Sequence, residues 1–317
     1  MYPEPILSWL LVCRSRDLRR GEVRSLAALG RSIVLFRTAG GTAHALSASC
    51  AHMGTDLSLG RVVADCLQCP LHRWEFDGEG VCLRRPQART VPPDGRQFAF
   101  PLVERYGALF LYPGPAPAFP VPDLSRPDDA WEFTVGPPVR LRCSWKAIGA
   151  NVFDMEHLES VHDRALVGAP VVEQPSPHCL RLAYSTRVTG QGVADRAIAA
   201  VNRGCVRADI ACWGGTLLVA ENRTQRVGTV LVLGVVPAPE GVQVTPVFAV
   251  PRGRFRLFDR VRAALARTLV TTFLDRDVRI MDGMQFRHSE GLPPAAPLAR
   301  YLSFVEALPG CPATPTT

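Results

Sequence analysis

Apolar and polar positions divide the chain into two regions with different rhythms. Up to about residue 111, short apolar runs such as Ile33-Val34-Leu35-Phe36 and Ala108-Leu109-Phe110-Leu111 alternate with glycine turns, the pattern of a small all-β domain. Pro113, Pro115, Pro117, Pro120, Pro122 and Pro127 then predict a stiff, extended linker. Beyond it, strand-like segments recur around 180–188, 206–212, 216–220, 228–236 and 242–250, and a long helical stretch runs from about 255 to 286. Strands followed by a helix across one sheet predict an α+β domain. The domains expected are therefore 1–112 (all-β), 113–130 (linker) and 131–317 (α+β, an antiparallel sheet with a long C-terminal helix). No internal repeat is visible, and the linker and the tail 312–317 are the low-complexity segments.

Composition supports two buried cores: the 317 residues are 47% hydrophobic and 21% charged. The formal net charge is +7, but Lys146 is the only lysine and the arginines are scattered. That scatter lacks the clustered basic patch and interleaved aromatics of a nucleic-acid binder, so no nucleic-acid partner is expected. Ten cysteines in a chain this long do not make a disulfide scaffold, and a reducing cytoplasm fits them. Met1-Tyr2-Pro3-Glu4-Pro5 puts no basic region ahead of the apolar run 6–12, which is too short to span a bilayer. The apolar run 229–236 has strand length. The expectation is a soluble, unprocessed, cytoplasmic protein without an integral membrane segment.

The most specific chemistry lies in Cys50-Ala51-His52 and Cys69-Pro70-Leu71-His72, a C-x-H and a C-x-x-H separated by sixteen residues. Two thiolates and two imidazoles suit a [2Fe–2S] centre with cysteines on one iron and histidines on the other, which raises its potential above that of an all-cysteine cluster. A structural zinc site is the alternative. It leaves the C-x-H spacing unexplained. Gly54, Gly60 and Pro70 punctuate the two loops, and Trp74 to Gly80 reads as a strand entering a hairpin turn. Cys66 and Cys82 are surplus thiols, expected to be plain buried residues.

At these residues the chain resembles the Rieske non-haem iron oxygenases, whose cluster motif ends C-P-Y-H-G-W-x-F. Here it reads Cys69-Pro70-Leu71-His72-Arg73-Trp74-Glu75-Phe76, departing at Leu71 and Arg73, neither of them a ligand. The resemblance places Trp74 beside the cluster, and Arg73 sets a charge next to a cluster ligand. It also implies a second domain of helix-grip (START-like) type.

A second constellation, Asp154-Met155-Glu156-His157 with His162, offers two histidines and an acid, the donors of a mononuclear Fe(II) site with an open face. Residues five apart lie about 140° round a regular helix, so a π-bulge is expected between His157 and His162. Four of the seven histidines fall in the two motifs. The spacing D-x-x-H-x-x-x-x-H matches the iron site of the resembled family. Trp145, Lys146 and Asn151 resemble its lead-in, with Asn151 as possible active-site support and Ala150 standing where Glu is common. On the long helix, Asp277 sits in an apolar stripe with Ala263, Ala266, Val270, Phe273, Ile280, Met281 and Met284 within about 60°. An unpaired carboxylate there is costly unless a metal takes it. Asp275, Arg279 and Asp282 fall on the opposite side, where Asp275 and Arg279 can pair. The resemblance, on Arg276-Asp277-Val278-Arg279-Ile280-Met281-Asp282, likewise points to Asp277 as third ligand.

The resemblance implies more. Asp154 would hydrogen-bond His157 and bridge to His72 of the partner subunit in a homotrimer, carrying electrons between centres. A ferredoxin and/or flavin reductase, fed by NAD(P)H, would reduce the cluster, and O2 would mono-oxygenate a bulky, mostly apolar aromatic or polycyclic small molecule. Demethylation and oxidative cyclisation use the same kind of site. Two other classes stay open at this point: a non-catalytic Rieske electron carrier and a zinc-stabilised binding protein of the lipid-transfer type.

Overall fold

The computed structural model describes residues 6–86, 95–192, 195–196, 204–223, 228–287 and 291–310. The expected low-complexity tail lies outside them. The chain forms two compact units, Met1–Val121 with Gly310–Thr317, and Pro122–Pro309.

The described part of the first unit contains strands β1 (Leu10–Arg14), β2 (Val23–Ala28), β3 (Arg31–Arg37), β4 (Ala43–Ser47), β5 (Arg61–Val63), β6 (Cys66–Gln68), β7 (Glu75–Phe76), β8 (Cys82–Arg84), β9 (Ala99–Phe100), β10 (Leu102–Arg105) and β11 (Ala108–Leu111). They pair as three small sheets, β2-β3-β4-β9, β1-β11-β10 and β5-β6-β7-β8. Two-residue turns set the register of two hairpins. Leu29 and Gly30 link β2 to β3, and Tyr106 and Gly107 link β10 to β11, each pair with both φ positive. That is the turn whose twist matches paired strands. Ile33 to Phe36 of β3 are completely buried. The first part of the proline-rich stretch packs onto this unit: Phe119 and Val121 are buried. The Trp9 indole donates to the Phe119 carbonyl (2.7 Å) and Arg105 to that of Val121 (3.0 Å).

The second unit is built on β12 (Trp131–Val135), β13 (Val139–Leu141), β14 (Arg164–Leu166), β15 (Val171–Ser176), β16 (Cys179–Val188), β17 (Cys205–Trp213), β18 (Leu217–Arg223), β19 (Gly228–Ala238) and β20 (Gly241–Pro251). These form one antiparallel sheet ordered β12-β20-β19-β18-β17-β16-β14, with β13 on β20 and β15 on β16. Helices among its described residues include α1 (Trp145–Phe153), α2 (Glu156–Ser160), α3 (Arg256–Met281) and α4 (Pro297–Glu306). The all-β unit followed by a sheet-rich unit with helices agrees with the fold class expected from the sequence.

Packing around α1 and α3 positions the chemistry. Tyr301 of α4 donates its hydroxyl to the Lys146 carbonyl (3.0 Å) and stacks on Phe153 (5.1 Å between centroids). Its phenol lies where a Cβ on Gly149 would be, so only glycine lets α1 and α4 approach this closely. Helix α3 packs on β12 and β20, and its first-turn Asp259, fully buried, accepts the Gly253 N–H with both oxygens (3.0 Å each).

Three expectations about α3 are corrected. The helix stops at Met281 rather than near 286, because Asp282 turns to extended backbone and its carboxylate takes the Arg142 N–H (2.9 Å) and guanidinium (2.7 Å). Ile280 is 54% exposed; it sits at the margin of the apolar stripe, about 60° from Asp277, where the covered face ends. No Asp275–Arg279 pair forms among the described residues; the adjacent Arg276 reaches Asp163 instead (3.2 Å). No helix among the described residues is long and apolar enough to cross a membrane.

Candidate metal centres

In the first unit, Cys50 and Cys69 each open a tight loop anchored in the core. Both belong to the buried cluster that includes Val34, Phe36, Leu46, Leu57, Leu67, Trp74 and Phe76. The two loops share a construction. Gly54 N–H donates to the Cys50 carbonyl (2.7 Å), and Arg73 N–H donates to the Cys69 carbonyl (3.1 Å). The fourth residue after each cysteine has a positive φ, +75° at Gly54 and +56° at Arg73. Buried Gln97 ties the first loop down: its carbonyl accepts Ala51 N–H (2.7 Å) and its amide donates to Ser47 and Ser49 (2.9 and 2.8 Å).

These loops bring all four expected cluster residues together. The Cys50 and Cys69 thiols adjoin, and burial pushes Cys50 up to about 11, so a thiolate there needs a cation beside it. The imidazoles of His52 and His72 meet edge to face at 4.6 Å between centroids. Desolvation, then His72 and Arg85, hold His52 below its ordinary pKa, in the neutral form that ligates metal. Buried Nδ1 of His72 has no hydrogen-bond partner among the described residues, an orphan that a ligated ion would satisfy. Trp74 stacks on His52 at 4.3 Å and carries the Arg85 guanidinium on its ring (4.2 Å). Two thiols, two imidazoles and an orphaned ring nitrogen fit a [2Fe–2S] centre. Of the surplus thiols, Cys82 is buried and Cys66 half-buried.

The second unit brings His157, His162 and Asp277 together, with one donor atom from each lying within 4.8 Å of the others. The π-bulge expected between the histidines is absent. Helix α1 ends at Phe153, Asp154 is extended, and α2 is a single short turn that closes before His162. Two breaks in the helix, not a bulge inside it, turn both rings inward, 5.2 Å apart and nearly perpendicular.

Asp154 works differently from the expectation. Its main-chain carbonyl, not its carboxylate, accepts the bond from Nδ1 of His157. A carbonyl only accepts, so Nδ1 carries the proton and Nε2 keeps its lone pair for a metal. Burial holds His157 below its ordinary pKa, again neutral. The Asp154 carboxylate accepts Glu156 N–H (3.0 Å) and so starts α2. Asn151 stands in the last turn of α1, its carbonyl receiving Asp154 N–H (3.3 Å).

Nε2 of His162 lies 2.9 Å from Oδ1 of Asp277. Two donors at right angles on one metal, each about 2.1 Å from it, stand roughly 3 Å apart, so this pair fits neighbouring ligands. His162 is fully buried, and its Nδ1 has no partner among the described residues.

Some supporting residues were not read from the sequence as parts of the site. Phe273 stacks on His162 at 3.7 Å; it was in the apolar stripe, four residues before Asp277, where a helix stacks side chains. Arg164, buried, donates to the His162 and Asp163 carbonyls (3.0 Å each) and to buried Asp195 (2.8 Å). Tyr184 follows Leu180 and Leu182 in the alternation of β16, and burial, then the charge of Asp277, push its phenol up to about 12.

Comparison with known proteins supports a Rieske domain in the first unit and shows the fold of both. A family model described as the Rieske [2Fe-2S] domain matches residues 8–99. The oxygenase component of 3-ketosteroid-9-alpha-monooxygenase from Rhodococcus rhodochrous is 33% identical over 161 residues, 49% of this chain and 43% of that protein. Aminopyrrolnitrin oxygenase PrnD from Pseudomonas fluorescens is 32% identical over 170 residues, 49% of this chain and 45% of that protein. The chain spans less than half the length of these relatives. Among solved structures, dicamba monooxygenase bound to dicamba superposes with a TM-score of 0.74 at 22% identity, covering 95% of this chain and 96% of that one. NdmA from Pseudomonas putida CBB5 with caffeine gives 0.73 at 17%, covering 94% and 89%. The matched residues 8–99 identify a Rieske [2Fe–2S] domain in this chain, and the likeness to the solved oxygenases shows a shared fold over nearly its whole length.

Proposed function

We propose that the chain is the oxygenase component of a Rieske monooxygenase system. The observation that carries this reading is the convergence of His157, His162 and Asp277 in the second unit of a chain whose first unit holds the Rieske motif. In this reading Cys50, His52, Cys69 and His72 hold a [2Fe–2S] cluster with Trp74 packed beside it. His157, His162 and Asp277 hold one Fe(II), with Asn151 in support, and the functional domains are 1–112 and 131–317 with a linker at 113–130. Held by these two imidazoles and this carboxylate, Fe(II) would supply activation of O2 for a reaction in which one oxygen atom enters the substrate and the other leaves as water with two electrons and two protons.

The chain's own groups prepare that chemistry. The Asp154 carbonyl fixes the His157 tautomer, Phe273 holds the His162 ring flat, and α3 delivers Asp277 to them. The electrons come from a separate ferredoxin and/or flavin reductase drawing on NAD(P)H. The chain assembles as a homotrimer in which the Asp154 carboxylate meets His72 of the partner subunit, and it works in the cytoplasm. Relatives named for ketosteroids and aminopyrrolnitrin, and neighbours bound to dicamba and caffeine, support a bulky, mostly apolar aromatic or polycyclic substrate.

The test is iron content and turnover of anaerobically purified protein. It should hold two irons as the cluster and one more per chain, and should insert 18O from 18O2 into a member of a steroid and chloroaromatic panel when a reductase supplies electrons. Protein with cluster iron alone would be an electron carrier, and colourless zinc protein would be neither.

A further inference from the structure

Strand β8 runs out in two consecutive arginines, which the alternation of a strand sends to opposite sides. Arg84 pairs with Glu75 (3.2 Å), its neighbour across the hairpin. Arg85 turns the other way and lays its guanidinium on Trp74, 4.2 Å from the ring centre. The same indole stacks on His52 at 4.3 Å, with the two rings 13° from parallel. Placed end to end, these two steps put the Arg85 charge within about 9 Å of the imidazole centre.

The material between them decides how far that charge reaches. Trp74 is 5% exposed and belongs to the buried cluster that also holds Cys50 and Cys69. An apolar ring therefore stands where water would otherwise screen. Arg85 itself is half-buried. A charge held against apolar matter acts over such a distance far more strongly than the same charge in water, and salt screens it much less. Arg73 is the contrast. It directly follows His72 but is exposed, where water and salt weaken its field.

We propose that Arg85, acting across Trp74, raises the reduction potential of the cluster that Cys50, His52, Cys69 and His72 would hold, and so sets how readily that centre takes an electron. The inference rests on the proposed cluster. Reduction adds one electron, supplied by the separate reductase or ferredoxin, and breaks no bond; the arginine keeps its proton throughout. The reduced centre carries one more negative charge than the oxidised one, so a fixed cation favours it. Imidazole ligation already moves the potential upward, and Arg85 adds to it in the same direction.

The experiment is a redox titration of holoprotein at neutral pH, reading the cluster's visible absorption and circular dichroism at low and high salt. Arg85→Gln keeps a flat amide against the indole and removes the charge. At a fixed solution potential its reduced-to-oxidised ratio should fall about tenfold, a midpoint lower by about 59 mV for one electron. Arg85→Lys restores the charge and should recover at least half of that shift. Both results should persist in about 0.5 M salt. Arg73→Gln should change the ratio by less than about threefold, and the same salt should remove the change. Should Arg85→Gln hold no cluster, Arg85→Met, which keeps an apolar stem on the indole, takes its place with the same expected shift. A neutral variant with the parent's midpoint, an Arg85→Lys midpoint as low as the neutral one, or a shift abolished by salt would overturn the proposal. A parent without cluster absorption would instead end the functional reading, and this inference with it.

Discussion

The cluster loops and the mononuclear site solve the same problem, gathering metal ligands, at opposite ranges. All four proposed cluster ligands come from a stretch of 23 residues, and each cysteine is held by a hydrogen bond inside its own loop. In the mononuclear site His162 meets Asp277 across 115 residues, and the meeting depends on where α3 lies against the sheet. Local turns can define the first centre as soon as they form. The second exists only when its whole unit is packed, so damage far from the metal should reach it.

Direct loss of ligands should break the comparison most strongly. Cys50→Ser should abolish the cluster absorption and turnover while leaving the second unit's calorimetric transition in place. Asp277→Ala should keep that absorption, lose the additional iron, and lower turnover by more than roughly 100-fold, since even groups behind a ligand contribute 10–100-fold. If Asp277→Ala retains its full iron, the long-range ligand is misassigned.

Asp154→Asn sharpens the contrast, because the atom that orients His157 is main chain. Asparagine can still start α2, and the carbonyl is unchanged. The variant should keep both metals and the assembly. Single-turnover oxidation of its pre-reduced cluster should slow by about 10-fold or more, because an amide is the weaker acceptor for imidazole donors. Unaltered reoxidation would remove the carboxylate from the electron path.

Gly149→Ala probes remote damage. The change alone favours a helix by about 1 kcal/mol, but the new methyl meets the buried Tyr301 phenol, and overpacking costs about 1–3 kcal/mol. Destabilisation should win, with the second unit melting lower, the additional iron released more readily and the cluster spectrum unaffected. A higher melting temperature would show that α4 can give way.

The smallest effect expected is at Asp282, whose carboxyl the Arg142 side chain and then its backbone N–H pull from the ordinary 3.8 to about 2. A depressed folded pKa means stability that is present above pH 3.8 and lost as pH falls through 2. Asp282→Asn should therefore flatten the acid side of the second unit's melting-temperature profile between those values and leave neutral pH nearly unchanged. An identical acid profile would mean that the bridge is idle.

How much could be read in advance follows the same division. The meeting of Cys50, His52, Cys69 and His72 was legible because it is written in their spacing, and the five strands from Cys179 to Pro251 because alternation and turns are local. The approach of Asp277 to the two histidines was legible because a carboxylate in an apolar stripe is anomalous on its own helix. The route of the chain between His157 and His162 was not. Helical spacing predicted one distorted helix, whereas the Asp154 carboxylate caps a new turn and ends the old one, a competition between side chain and backbone that periodicity does not register. The Arg164–Asp195 pair and the Tyr301 contact with Gly149 join residues far apart in sequence, and neither partner alone marks the site.

The division of labour at Asp154 has a consequence for how this protein can change. The orientation of His157 is entrusted to a carbonyl that every residue type possesses, so substitutions that can still start α2, such as asparagine or serine, leave it in place. The carboxylate is left as a separate dial. Variants at 154 that keep a side-chain acceptor for the Glu156 N–H can alter the speed of electron delivery while metal retention holds steady, so a small library of such residues would sample reactivity without sampling iron-free protein.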